Sequence, residues 1–290
     1  MSKVWINGEI VDKDQAVISV YDKGVLYGDG CFEGIRAYNG RLFKIKSHLK
    51  RLYESASSIH LEPPCSIDEF EQAIRDTLAA SGLTNAYIRP VFTRGPGTLG
   101  LNPFLCKKPT AFAIVDTIQI YPPELYASGM PVIIAALARI PIQCLDPAVK
   151  SCNYMNNILA KIEAVNAGVL DAIMLNTEGY VSECTGDNIF AIKDGRIFTP
   201  HTEAGILHGI TRRFVMEQLA PALGHTVEER MFKTEELLSA DEVFLTGTAA
   251  EVIGVNRIND TVIGSGIVGP ITASIATEFR KIVSDNAPED

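Results

Sequence analysis

Two Asn-Gly pairs place strong limits on how this chain can fold. Asn7-Gly8 divides the strand-like run "VWINGEIV", and Asn39-Gly40 divides "IRAYNGRLFKI". A two-residue hairpin turn of type I′ needs positive φ at both central positions, which Asn-Gly supplies at little cost. Each pair therefore predicts an antiparallel hairpin. Between and beyond them the hydrophobic period changes. Leu49, Leu52, Ala56 and Ile59 lie on one side of a helix expected over 47–59. A second helix is expected from the capping box Ser66-x-x-Glu69; it carries Phe70, Ala73, Ile74, Thr77 and Leu78 and stops at Gly82. "AYIRPVFTR" and "TAFAIVDTIQI" read as strands. Strands and helices alternate to the end of the chain, which argues for mixed α and β.

"YPPELYASGMP" interrupts that alternation with Pro122, Pro123, Gly129 and Pro131. The expected organisation is a small α/β domain at 1–118, a linker at 119–130 and a larger domain at 131–290. The second half has its own strand signal in "VIIAALARI" and its own hairpins in "AIMLNTEGYVSE" and "IFAIKDGRIFTP". Near the end, Gly264-x-Gly266-x-x-Gly269 has the spacing of a dinucleotide-binding fingerprint. Pro270 follows at once, and too little chain remains for a βαβ unit, so this reads as a turn into the last helix.

Charge and cysteine usage exclude several functions. The 26 basic and 35 acidic residues leave a net charge of −9, and no long basic run offers a nucleic-acid surface. The first residues carry charges throughout, unlike a signal peptide, and no apolar stretch approaches the ~18–20 residues of a membrane span. The 6 cysteines are scattered without a C-x-x-C pair, and the 5 histidines lack ligand spacing. Reduced thiols, no metal site and a cytoplasmic location are expected.

Lys150 is the only charged side chain between Pro147 and Ala160. Met155, Ile158, Leu159, Ile162 and Val165 have helical spacing after it, with Gly168 as a C-terminal stop. A lysine just before a helix start, in apolar company, is pushed toward its neutral amine by desolvation and by the helix dipole. A neutral amine is what Schiff-base chemistry requires. The local sequence also allows a loop lysine whose charge reaches water.

Schiff-base chemistry on a lysine suggests pyridoxal phosphate, which needs an anion site and a partner for its ring nitrogen. In "LHGITRRFVMEQLA", Gly209, Ile210 and Thr211 open a helix whose free N–H groups would face a phosphate. In "FLTGTAAEV", Gly247, Thr248 and Ala249 form a second small-residue turn. Both also fit ordinary strand-to-helix connections. Glu183 in "GYVSECTGDNIF" lies at a strand end, as a pyridinium partner or as a surface carboxylate. "VLYGDGCFEGIR" lacks the Lys-Ser/Thr ending of a P-loop; Tyr27 and Phe32 read as pocket walls or core aromatics.

The segments "YGDGCFEGIRAYNG", "HLKRL", "AYIRP", "KSCNYMNNILAKIEA", "SECTGDNIF", "GITR" and "GTAAE" occur in this order. Together they resemble the branched-chain amino-acid aminotransferases, which are fold type IV pyridoxal-phosphate enzymes, and this implies an α+β, two-domain fold of the D-amino-acid aminotransferase-like architecture. The resemblance spans nearly the whole chain. It implies pyridoxal 5′-phosphate as cofactor, with transamination between leucine, isoleucine or valine and 2-oxoglutarate. It casts Lys150 as the Schiff-base lysine and proton carrier, Glu183 as partner of the pyridine nitrogen, and Tyr154 as donor to the phenolic oxygen. Arg51, Ile210, Thr211 and Thr248 match positions that hold the phosphate. Tyr87 with the Thr248–Ala249 backbone resembles the α-carboxylate site, and Arg89 the partner of glutamate's second carboxylate. Tyr27, Phe32 and Gly34 fall in the side-chain pocket, and Arg36 would add to a positive cleft. "RGPGTLGLNP" resembles the loop that completes the neighbouring subunit's site through Leu101, which implies a homodimer or higher homo-oligomer.

Pro122-Pro123-Glu124 stands where many bacterial members carry a tryptophan-containing segment, and the lysine motif is the short form K-x-x-N-Y. These departures bear on side-chain preference. Within the same fold, D-amino-acid transaminases, R-selective amine transaminases and aminodeoxychorismate lyase share the lysine and glutamate. From another class, a cofactor-binding protein without turnover fits the same motifs.

Overall fold

The computed structural model describes residues 2–118 and 121–290. Its contacts divide the chain into two units. One comprises Met1–Ile118, Val149–Asn153 and Val283–Asp290; the other comprises Gln119–Ala148 and Tyr154–Ile282. The start of the expected linker, residues 119 and 120, lies outside the described residues.

The first unit is built on an antiparallel sheet whose strand order is Glu9–Asp12, Lys3–Ile6, Thr110–Asp116, Ala86–Thr93, Ile35–Tyr38 and Arg41–Leu42; Gly30–Phe32 pairs with the far end of Ala86–Thr93. Both expected hairpins form. Asn7 and Asn39 adopt φ of 50°, with Gly8 and Gly40 also positive, as type I′ turns require. Helices Ile45–Ser58 and Ile67–Ser81 cover the sheet. Leu49, Leu52 and Ala56 from the first, and Phe70, Ile74 and Leu78 from the second, enter one core with Ile35, Ile88 and Phe92. The helix expected over 47–59 begins two residues earlier, because left-handed Lys44 turns the chain into it. The capping box at Ser66 and Glu69 is present with both reciprocal hydrogen bonds, and Gly82 closes that helix at φ 70°.

The second unit holds a nine-stranded sheet, ordered Val181–Cys184, Ala172–Leu175, Met130–Ile134, Glu251–Ile258, Glu242–Gly247, Asn188–Lys193, Arg196–Pro200 and Val227–Arg230, with Thr261–Val262 on the edge of Glu251–Ile258. The hairpins expected in "AIMLNTEGYVSE" and "IFAIKDGRIFTP" are both antiparallel pairs here. The strand expected across "VIIAALARI" is shorter, ending at Ile134. Beyond it, the Ala136 and Leu137 N–H groups donate to the Glu163 carboxylate at 2.6 and 3.1 Å, which takes this backbone off the sheet ladder. Gly264 and Gly266 form a left-handed turn before helix Pro270–Asn286, not a dinucleotide loop.

The helix expected after Lys150 exists, as Met155–Asn166, but its apolar stripe points the other way. Met155 is 64% and Val165 62% exposed, and Ile158, Leu159 and Ile162 are nearly half exposed. The buried positions are Asn157, Ala160 and Ala164. Helical spacing identifies a stripe but not what covers it. Small alanines let this helix lie close to Ala172 and Met174 of the sheet, where larger side chains would not fit.

Candidate active site

In the first unit, Lys150 is held by its backbone. The Phe32 N–H donates to Lys150 O at 3.0 Å, Cys152 N–H donates to Gly30 O at 2.8 Å, and Lys150 N–H donates to Ser55 Oγ at 3.2 Å. This pairing sets segment 149–153 beside strand Gly30–Phe32 and explains why contacts place Lys150 in the first unit, whereas the sequence grouped it with the second half. The Lys150 ammonium lies 4.8 Å from the Phe32 ring centroid. The Arg89 guanidinium lies 4.6 Å from the same centroid. Cations at such distances are attracted to the ring face.

Tyr87 and Arg89 alternate with buried Ile88 on strand Ala86–Thr93, so both side chains lie on one face of the sheet. Arg89 donates to the Tyr87 hydroxyl at 2.9 Å. Its buried Nε has no hydrogen-bond partner among the described residues. Arg36 is the cross-strand neighbour of Tyr87, on the same face. Gly34 has to be glycine there, since a Cβ would lie 2.1 Å from the Tyr87 hydroxyl. Tyr27 sits apart on the short helix Lys23–Tyr27 and donates to Leu99 O. Leu101 is thrust into solvent.

Arg51 has a partner that the sequence pattern did not assign. Its guanidinium grips Glu33 at two points, Nε to Oε1 at 2.6 Å and NH2 to Oε2 at 2.9 Å. His48 Nδ1 meets Glu33 Oε2 at 2.7 Å. Glu33 and His48 are completely buried. Burial works to raise the Glu33 pKa, but the Arg51 charge and the hydrogen bonds from His48 and Arg51 outweigh it and hold the carboxyl well below the usual carboxylate range. Burial pushes the His48 pKa below its ordinary value, against the pull of Glu33. A neutral ring beside a carboxylate carries its hydrogen on Nδ1. That leaves Nε2 as a bare acceptor, buried and without a partner among the described residues. The sequence signal was available: His48 and Arg51 stand three apart on one helix face, and Glu33 is the only acid in "GCFEGIR".

In the second unit, Glu183 is buried at the end of strand Val181–Cys184. Three donors converge on it: Arg139 Nε to Oε1 at 2.9 Å, and Leu207 N–H and Asn188 Nδ2 to Oε2 at 2.9 and 3.2 Å. Arg139 is held in turn by Asn156 at 3.1 Å and Asn157 at 3.3 Å. Arg139 also escaped the sequence reading, although a single charge in the apolar run "IIAALARIPI" is the same kind of signal that singled out Lys150. Tyr154 occupies the N-cap of helix Met155–Asn166.

Gly209 is the N-cap of Ile210–Phe214, which continues through a π-helical turn, Val215–Leu219, into Ala220–Ala222. A Cβ at Gly209 would lie 1.9 Å from Asn188 Oδ1, so a larger residue there would displace the Asn188 side chain that donates to Glu183. Ile210 and Thr211 are buried at this helix start, and the Thr211 hydroxyl has no partner among the described residues. Thr248 and Ala249 form the turn between strands Glu242–Gly247 and Glu251–Ile258. The described residues contain no His/Cys/Asp/Glu group able to hold a metal ion.

The class IV amino-transferase profile matches residues 30–258. The chain is 46% identical over 280 residues to a Methanocaldococcus jannaschii protein named provisionally as a branched-chain-amino-acid aminotransferase; the match covers 97% of this chain and 96% of that one. The branched-chain amino acid aminotransferase of T.th., solved with pyridoxamine 5′-phosphate, superposes with a TM-score of 0.94 at 36% identity, covering 99% of this chain and 95% of the other. The same enzyme complexed with N-(5′-phosphopyridoxyl)-L-glutamate gives 0.92 at 35% identity, with coverages of 99% and 95%. The chain belongs to the class IV aminotransferases, the fold type IV family.

The Glu33 network makes stability depend on pH in one direction. The folded-state pKa of Glu33 is depressed, so its contribution is complete above the ordinary value of 4.5 and is lost as pH falls below that. The His48 pKa is depressed as well, so below its ordinary 6.5 the unfolded chain takes up a proton that the folded ring resists. The melting temperature should therefore fall on acidification from near pH 6.5 and fall faster below 4.5. Glu33→Gln leaves Arg51 without its counter-charge and should cost ~3–5 kcal/mol at neutral pH. Thermal melts of the two proteins across pH check this, and equal melting temperatures at neutral pH would refute it.

Proposed function

We propose that this chain catalyses amino transfer between branched-chain L-amino acids and 2-oxoglutarate, using pyridoxal 5′-phosphate. The observation that carries the reading is the full-length match to a relative named for this activity, with Lys150 and Glu183 each fixed by its own surroundings. The structure of the T.th. enzyme with a glutamate adduct supports glutamate, and hence 2-oxoglutarate, as the second substrate pair.

The residues present suit the cofactor. The Thr211 hydroxyl is a buried donor without a partner among the described residues, at a helix start whose first N–H groups have no helical acceptors, which suits a phosphate. Ile210 N–H and Thr248 would add to that anion site, and the family resemblance gives Arg51 a phosphate-holding role as well. The Arg139-braced Glu183 carboxylate suits a protonated ring nitrogen. When bound, pyridoxal phosphate supplies a carbonyl carbon for the amine and a ring that accepts the electrons released at Cα.

The chain's own groups do the rest. Lys150 Nζ would form the link to the cofactor at rest and, when released, would accept and hold the proton lost from the substrate Cα. Glu183 holds the proton on the ring nitrogen. Tyr154 donates to the phenolic oxygen. The family resemblance gives Tyr87, and likewise the Thr248–Ala249 backbone, the role of binding the α-carboxylate. Phe32, Gly34 and Tyr27 shape the side-chain pocket, and Arg36 and Arg89 make it receptive to a second carboxylate. Arg89 already has one hydrogen bond to Tyr87, and its Nε has no partner among the described residues, so it can serve glutamate and turn aside for leucine.

We also assign the chain to a cytoplasmic homodimer or higher homo-oligomer. Six free cysteines support the compartment, and no described helix is long and apolar enough to cross a membrane. The exposed stripe of Met155, Ile158 and Ile162, with Leu101 and Phe104 on a separate loop, supports the assembly.

Lys150→Ala should abolish transamination and the bound-aldehyde absorbance band, and borohydride should attach the cofactor to the Lys150 peptide of the wild type. Label on another lysine would reject the assignment. Leucine rather than D-alanine should serve as amino donor. In Arg89→Leu, the glutamate half-reaction should lose ~2–4 kcal/mol of transition-state stabilisation and the leucine half-reaction under ~1 kcal/mol. Single-turnover spectra separate the two, and equal losses would move Arg89 to the α-carboxylate. Light scattering should give at least twice the chain mass, and Ile158→Glu should reduce it. A wild-type monomer would refute the assembly.

A further inference from the structure

Lys23 is 2% exposed, and the chemistry so far gives it no role. A buried ammonium has to be fully hydrogen-bonded. Two of the three Lys23 donors go to a single loop: its Nζ donates to Thr98 O and to Gly100 O. Four residues along the same short helix, the Tyr27 hydroxyl donates to the carbonyl between them, Leu99 O. Residues four apart share a helix face, and the Lys23 ammonium lies 5.1 Å from the Tyr27 ring centroid. Three consecutive loop carbonyls are thus taken up by two side chains of one helical turn.

Both ends of this clamp are anchored. Lys23 N–H donates to Gly95 O at 3.1 Å, and Gly97 N–H donates to Tyr21 O at 3.2 Å. Gly95 adopts φ 81°, with no room for a Cβ beside Lys108 O. The helix itself is fastened to the sheet by buried Asp22, which accepts from Thr93 Oγ1 at 2.8 Å, Thr110 Oγ1 at 2.9 Å and Gly24 N–H at 2.8 Å. With the carbonyls drawn inward, the side chains of Leu99 and Leu101 stand outward, 65% and 78% exposed. An apolar loop this firmly tied is a presented surface.

We infer that Lys23 is a positioning residue for substrate selectivity: it fixes loop 96–101 so that Leu99 and Leu101 form an apolar wall for the substrate side chain in a second copy of this chain. The inference rests on the proposed homo-oligomer and on the resemblance of this loop to the family loop that completes the neighbouring subunit's site. A compact ammonium can reach two carbonyls two residues apart, whereas a planar guanidinium places its donors in a fixed fork. Arginine is therefore an imperfect substitute.

The test compares the wild-type holoenzyme with Lys23→Met and Lys23→Arg. Limited chymotrypsin digestion reads the loop, through cleavage after Leu99, Leu101 and Phe104. Cleavage should be about tenfold faster in Lys23→Met, as expected for the loss of charged hydrogen bonds, with Lys23→Arg between the two. In Lys23→Met the KM for L-leucine should rise about five- to tenfold and the preference for leucine over alanine should shrink, while kcat stays within about threefold, the signature of lost binding rather than lost chemistry. The bound-cofactor absorbance should not change. Unaltered cleavage would overturn the clamp. Faster cleavage with unaltered KM and donor ranking would overturn the role in selectivity while leaving transamination itself standing; a wild type inactive with every branched-chain donor would instead sink the function it rests on. Should Lys23→Met not fold, Lys23→Gln, with a single amide donor, carries the same comparison.

Discussion

A pair of backbone hydrogen bonds fixes the position of Lys150, the residue proposed to carry the chemistry of this chain. Phe32 N–H to Lys150 O and Cys152 N–H to Gly30 O join segments far apart in sequence into one short strand pairing. Backbone pairing of this kind is directional, so Lys150 is placed by peptide geometry and not by its own flexible side chain. The same strand carries Phe32 and leads to Glu33 and Gly34, and it pairs with the strand that carries Tyr87 and Arg89. Losing that pairing would leave the lysine on an irregular loop with no fixed relation to the arginine.

Around this pairing, the first unit concentrates positive charge and then controls it. Arg36, Arg89 and Lys150 lie about one stretch of sheet, with Phe32 facing two of the cations. Arg51 is different, because Glu33 binds it at two points in a dry interior. A buried pair of this type contributes orientation more than stability, since desolvation offsets much of the Coulomb gain. In the second unit the order is reversed: a carboxylate, Glu183, is braced by a guanidinium, Arg139, and by a backbone N–H. Arg51 and Glu183 are therefore each held by a fixed partner of opposite charge, whereas Lys150 is held through its backbone.

Local features were legible in the sequence because local physics fixes them. Asn-Gly turns, the Ser66–Glu69 capping box and the glycine stop at Gly82 involve residues close in the chain, and the structure realises each of them. Lys150, Glu183 and the Gly209–Thr211 helix start were visible as polar residues in apolar or small-residue company. The order of seven motifs identified the family. The partners of these groups were not legible. Glu33, His48 and Arg139 matter because of what lies beside them in space, and a hydropathy pattern does not report the far end of a hydrogen bond.

The hairpin turns, the capping box and glycine stop of helix Ile67–Ser81, and the family are therefore set by the sequence alone. Each of these follows from periodicity, from glycine and asparagine backbone freedom, or from motif order. Tertiary structure decided which side of an element is used. The helix Met155–Asn166 shows this most clearly: its spacing marks an apolar stripe, but alanines packed against Ala172 and Met174 put that stripe outside. The same holds for Lys23, a lysine that nothing in its neighbourhood distinguishes. Its ammonium is buried because the carbonyls of a loop some 75 residues away close over it, and only the folded chain brings them there.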